Sequence, residues 1–127
     1  MTTQMAYQTD QLTEGGAEPL RTEFEFDLPM GYVDQAGRVH RNGAMRLATA
    51  RDELSPLMDQ RVRENPAYLG VVLLSLVITR LGEVRHVSAE VVEQLFAADV
   101  AYLQRFYEQI NAVDPEGPGA GERLGES

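Results

Sequence analysis

From Thr22 the chain alternates strictly, with Phe24, Phe26 and Leu28 on one side and Glu23, Glu25 and Asp27 on the other. A period of two with one apolar side predicts a half-buried strand. Pro29 ends it, Tyr32-Val33 resumes it, and Asp34-Gln35-Ala36-Gly37 supplies turn chemistry before a second run from Arg38 to Leu47, in which Val39, Met45 and Leu47 share a parity. Residues 22–47 therefore predict a small antiparallel hairpin or three-stranded sheet, with Gly43 interrupting the last strand as a bulge.

Beyond Leu47 the pattern turns helical. Thr49 ahead of Asp52 and Glu53 reads as a capped start, and the predicted short helix, 49–62, is kinked or restarted at Ser55-Pro56. Asn65-Pro66 opens a second helix, 66–81, that Gly82 stops. Eight large aliphatic residues between Leu69 and Ile78 make this second helix apolar on every side, and it is shorter than the ~20 residues needed to cross a bilayer. Ser88 caps a third, amphipathic helix, 89–111. Its rows are Val91, Leu95, Ala98, Tyr102 and Phe106, beside Val92, Phe96, Leu103, Tyr107 and Ile110. The fold class is α+β, mainly α, with one folded domain over 22–111.

The flanks differ in composition. Residues 1–21 and 112–127 are acidic, and Asp114 to Gly121 is rich in Pro and Gly, so both ends are expected to be disordered tails. Twenty acidic residues oppose eleven basic ones, all of them Arg, for a formal charge of −9. A protein that coats nucleic acid needs the opposite balance, so nucleic acid is not an expected partner. The first residues lack the basic and apolar regions of a secretory signal, which predicts a cytoplasmic location.

Candidate chemistry is sparse. The absence of cysteine removes thiol nucleophiles, disulfides and cysteine-based zinc sites, and leaves His40 and His86 as the only imidazoles, both expected to be exposed. Ser55 and Ser75 lack a nucleophile-elbow motif, and the Gly117-Pro118-Gly119-Ala120-Gly121 run opens no helix and has no Lys to reach a phosphate. Asp52, Glu53 and Asp59 lack the dense oxygen-ligand loop of a calcium site and read as a solvated helix face. No cofactor, metal or catalytic group is expected.

Apolar surface remains. Burying the eight aliphatics of the second helix is worth on the order of 10–20 kcal/mol, and they need cover on all sides. Either the short first helix closes the gap, or a partner or second copy does so in a homo-oligomer. The expected partner-binding face is Phe96, Tyr102, Leu103, Phe106 and Tyr107, because clustered aromatics anchor interfaces as well as cores.

The order of features also resembles a known group. The segments are Phe24-Glu25-Phe26-Asp27-Leu28-Pro29, Gly31-Tyr32-Val33-Asp34, Gly37-Arg38-Val39-His40-Arg41, Thr49-Ala50-Arg51-Asp52-Glu53, Asn65-Pro66-Ala67-Tyr68, Val77-Ile78-Thr79-Arg80-Leu81-Gly82 and Leu95 to Leu103. Together, over roughly residues 22–111, they resemble the small tail-assembly or baseplate-assembly proteins of contractile phage tails and phage-derived contractile injection systems. The resemblance implies a non-enzymatic chaperone or adaptor for tail, tape-measure or baseplate hub proteins, or else a minor baseplate subunit retained in the particle. It transfers no functional residues.

Overall fold

A computed structural model of the chain describes residues 20–112, so the expected tails, 1–21 and 112–127, lie outside the described residues except for Leu20, Arg21 and Ala112. The alternating run becomes strand β1 (Glu23–Val33), and β2 (Val39–Arg46) pairs with it antiparallel. Between them Asp34 organises the turn, its Oδ1 accepting from the backbone N–H groups of Ala36 and Arg38, while Gly37 takes the positive φ of 85° that a side chain would resist.

The ladder between β1 and β2 shifts register between Asp27 and Tyr32. Phe26, Leu28, Tyr32, His40 and Met45 are buried, whereas Val39, at the start of β2, is 56% exposed. That irregularity lies in β1, and a second one lies in the ladder between β2 and β3 between Ala44 and Met45, one residue beyond Gly43, which itself pairs with Phe26 and with Leu81. Gly43 is required for a different reason. A Cβ there would stand 2.5 Å from the Phe26 ring and 2.5 Å from the Arg80 carbonyl, so the missing side chain lets the ring lie across the strand.

The sheet does have three strands, in the order β1-β2-β3, but the third comes from the end of the expected second helix. The segment 66–81 divides into a 3₁₀ turn (Pro66–Tyr68), helix α3 (Leu69–Val77) and strand β3 (Ile78–Leu81). Val77, Ile78 and Thr79 are consecutive β-branched residues, which lose rotamer freedom in a helix and suit a pleated surface. The free edge of β2 supplies the backbone partners, and Ile78 and Leu81 face inward. Helix α3 must be counted between the strands of one small α+β fold, and it is followed by more helix.

The first expected helix, 49–62, is also divided. Helix α1 (Ala50–Leu54) carries the expected Thr49 cap as a full capping box with Asp52. A 3₁₀ turn (Ser55–Met58) follows at Pro56, and Asp59 caps α2 (Gln60–Glu64). The third expected helix, 89–111, becomes α4 (Ala89–Glu93), capped by Ser88 as expected, and α5 (Ala97–Asn111). No Gly or Pro marks the break at 94–96. Its consequence is positional: Asp99 falls in the first turn of a new helix that packs along β1.

There Asp99, with 0% of its surface exposed, accepts from the backbone N–H groups of Met30 (2.8 Å) and Gly31 (3.0 Å). Gly31 has φ 107°, and the carboxylate supplies the partners that the disturbed ladder cannot. The core lies between the sheet and the helices, with Leu28, Met45, Val77, Leu81, Val92 and Leu103 at its centre.

Candidate functional site

Helix α5 and its N-cap place the five aromatic and aliphatic candidates in four different environments. Leu103 is 1% exposed and belongs to the core, so it is no part of a contact face. Tyr102 and Phe106 stack at 6.0 Å and both meet the edge of Phe26, at 6.5 and 5.7 Å, forming an aromatic cluster half-buried against β1. Tyr107 leaves the helix toward α1, and its hydroxyl donates to Glu53 Oε2. Burial, helped by that carboxylate, pushes the Tyr107 phenol well above its ordinary pKa. Phe96, 47% exposed at the start of α5, is the freely exposed member. Four of the five therefore support the fold or its margin.

His40 also departs from expectation, since it is buried whereas His86 is exposed. Glu83 N–H donates to His40 Nδ1 at 3.2 Å, which leaves Nε2 as the protonated nitrogen facing Asp34 Oδ2 at 2.8 Å. The His40 hydrogen bond, aided by the Arg38 backbone N–H, holds the Asp34 carboxyl below its usual range. This pair floors a cleft of about 460 Å³ between the β1–β2 turn and the segment after β3, with Arg38 and Glu83 paired at 3.2 Å on its rim. Both imidazole nitrogens are already engaged, and the lining contains no serine or threonine nucleophile. The pair ties the hairpin turn to the loop after β3. Among the described residues no group of three or more His, Asp or Glu side chains is arranged to hold a metal.

Exposed apolar side chains gather at two places among the described residues, Met30, Val33 and Val39 at the hairpin end and three more at the end of α1 and just after it. Leu54, Leu57 and Met58 are 62%, 50% and 75% exposed, and with Arg51 and Ser55 they line a cleft of about 570 Å³ at the elbow between α1 and α2. A straight helix through this segment would carry residues 54, 57, 58 and 61 along one face. Instead Pro56 turns the chain and is itself fully buried, which pins the elbow from beneath and directs its neighbours outward.

The elbow is also held from the α1 side. Arg46 grips Asp52 through two bonds, Nη1 to Oδ2 at 2.7 Å and Nη2 to Oδ1 at 3.0 Å, and donates to the carbonyls of Leu47 and Leu76. Thr49 donates to Asp52 through both its backbone N–H and its hydroxyl. These donors, the Arg46 guanidinium foremost, hold the Asp52 carboxyl far below the usual carboxylate range. Asp52 is thus a buried fastening of α1 to the sheet, and not part of a solvated face. Glu53 receives the Tyr107 hydroxyl, and Asp59 binds Arg61 at 3.0 Å.

The signal that could have found the elbow was Pro56, whose burial rotates the apolar residues on either side of it. No helix among the described residues is long and apolar enough to cross a membrane. No protein-family model, curated protein sequence or solved structure matches the chain.

Proposed function

We propose that the chain is a non-enzymatic assembly factor, a chaperone or adaptor for a contractile phage-tail-like structure, that binds tape-measure or baseplate hub proteins through apolar helical surface. The observation that carries the binding role is the elbow: three large apolar side chains, each at least half exposed, displayed within five residues on a turn anchored by a buried proline. Contiguous exposed apolar surface of this kind marks interaction sites in folded domains. A fixed turn also lowers the ordering cost of binding, because the displaying backbone has little freedom left to lose. The kind of partner follows from the ordered resemblance of residues 22–111 to small tail-assembly proteins.

The polar groups favour the same reading. The buried His40, Asp52 and Asp99 are each engaged by partners that fasten one element to another. A catalytic constellation needs groups left free to meet a substrate.

The test is mass spectrometry of assembled particles set against an affinity pull-down of the chain from the cells that make them. An assembly factor is absent from finished particles and brings down tape-measure or hub protein. A fixed stoichiometry in the particles would instead make the chain a minor baseplate subunit.

A further inference from the structure

The assembly-factor reading leaves open what the elbow holds, and the inference drawn here rests on that reading. We infer that the elbow formed by Arg51, Leu54, Leu57 and Met58 is the docking site for an amphipathic helix of a partner protein that carries a carboxylate beside its apolar stripe.

The class of occupant follows first from the backbone. Cleft-lining residues 51–58 belong to α1 and the 3₁₀ turn, which present no sheet edge. An extended peptide adds to a protein by pairing its N–H and C=O groups with such an edge. Here it would bury those groups unpaired, at a cost that an occupant with internal hydrogen bonds avoids. A helix meets that condition, and its apolar residues at i, i+3, i+4 and i+7 form a stripe that can lie against the three exposed side chains.

Charge supplies the second element. Arg51 is the one charged side chain lining the cleft, and among the described residues it has no carboxylate within ion-pair distance. The acids of the same segment are all occupied: Asp52 by Arg46 and Thr49, Glu53 by Tyr107, and Asp59 by Arg61. A chain with a net charge of −9 thus presents an available cation at its apolar elbow. A partner with a carboxylate at the rim complements it.

The same arrangement disfavours a second copy. A two-fold contact through the elbow places the same patch on both sides, and that patch brings a second Arg51 and no carboxylate to pair with it. Like charges brought together at an interface oppose association.

The experiment uses the full chain and a fluorescent designed helix with Leu at i, i+4 and i+7 and Glu flanking the stripe, read by anisotropy. A second probe carries Lys in place of Glu. The Glu probe should bind more tightly than the Lys probe by several-fold. Met58→Asp should weaken the Glu probe by about tenfold or more, as loss of a central apolar contact does. Arg51→Glu should reverse the order of the two probes while leaving the circular dichroism unchanged, since position 51 is exposed and near the start of α1.

Three results would overturn the inference. The first is binding indifferent to both substitutions. The second is a dimer of the free chain, seen in sedimentation, that Met58→Asp dissociates, since that makes the occupant a second copy. The third is a gain in probe affinity when Met5 and Tyr7 are replaced by Asp and Ser, since that makes the chain's own first residues the occupant. Failure of the particle assignment is separate: the Glu probe would still bind at the elbow while no tail protein appeared in the pull-down.

Discussion

Replacing Asp99 by Ala should cost a large share of the stability of the whole domain. The carboxylate is wholly buried and receives two backbone N–H groups, Met30 at 2.8 Å and Gly31 at 3.0 Å. In Asp99→Ala both donors lose their acceptor, and the Gly31 N–H is buried with no route to water short of local opening. An unsatisfied buried donor costs about 1–3 kcal/mol, and a bond to a charged group contributes about 1.5–3 kcal/mol, so the pair is worth roughly 3–5 kcal/mol. A domain of this size has on the order of 5–14 kcal/mol in total. Urea titration followed by circular dichroism reads the loss as a lower midpoint with little change in slope. Asp99→Asn keeps one acceptor oxygen and should lose about half as much. Native-state hydrogen exchange should localise the damage, with the Gly31 amide losing protection first. A loss under about 1 kcal/mol for Asp99→Ala would refute the view that this carboxylate completes the disturbed strand.

Further expectations follow from the same geometry. Asp52 has a folded pKa far below its unfolded value, so its contribution is fully present above the ordinary carboxylate range and is lost as pH falls through and below about 4. Thermal melts of the wild type and Asp52→Asn should therefore differ most near neutrality and converge in acid, and a gap that stays constant with pH would exclude the Arg46–Asp52 pair as the cause. Gly43→Ala should destabilise by about 1–3 kcal/mol, because its Cβ would meet the Arg80 carbonyl and the Phe26 ring at 2.5 Å; a midpoint like that of the wild type would contradict this. Gly82→Ala should combine backbone strain at φ 54° with a clash against His40, and the NMR signals of the His40 ring should shift with it.

The local chemistry of this fold is written plainly in the sequence. Thr49, Asn65 and Ser88 each cap where their hydroxyl or amide suggested, and Phe24, Phe26 and Leu28 announce β1 by alternation alone. What alternation and helical period do not carry is where an apolar run changes its state. The segment from Leu69 to Leu81 reads as one buried helix because buried helix and buried strand share the same composition, and only the β-branched sequence Val77-Ile78-Thr79 hints at the switch. The break before α5 leaves no mark at all, and with it goes the position of Asp99, whose partners lie nearly seventy residues earlier.

The candidate site was obscured for a related reason. Leu54, Leu57 and Met58 have the i, i+3, i+4 spacing of one helix face, and that spacing does not distinguish an outward face from an inward one. Pro56 takes the buried place instead, and the residues that looked most like an interface on α5 mostly pack against Phe26 and the core. Burial of His40 was equally out of reach, since Asp34 and Glu83 meet it only after the hairpin and the loop after β3 close over it.

The central claim, that the chain assists assembly through its elbow, is tested most directly by replacing the gene in the cells that make it and counting assembled tail-like particles by electron microscopy. Removal should abolish or sharply reduce intact particles, the wild-type chain should restore them, and a Met58→Asp chain that folds normally should fail to do so. Full restoration by Met58→Asp, or normal particles without the chain, would contradict the account.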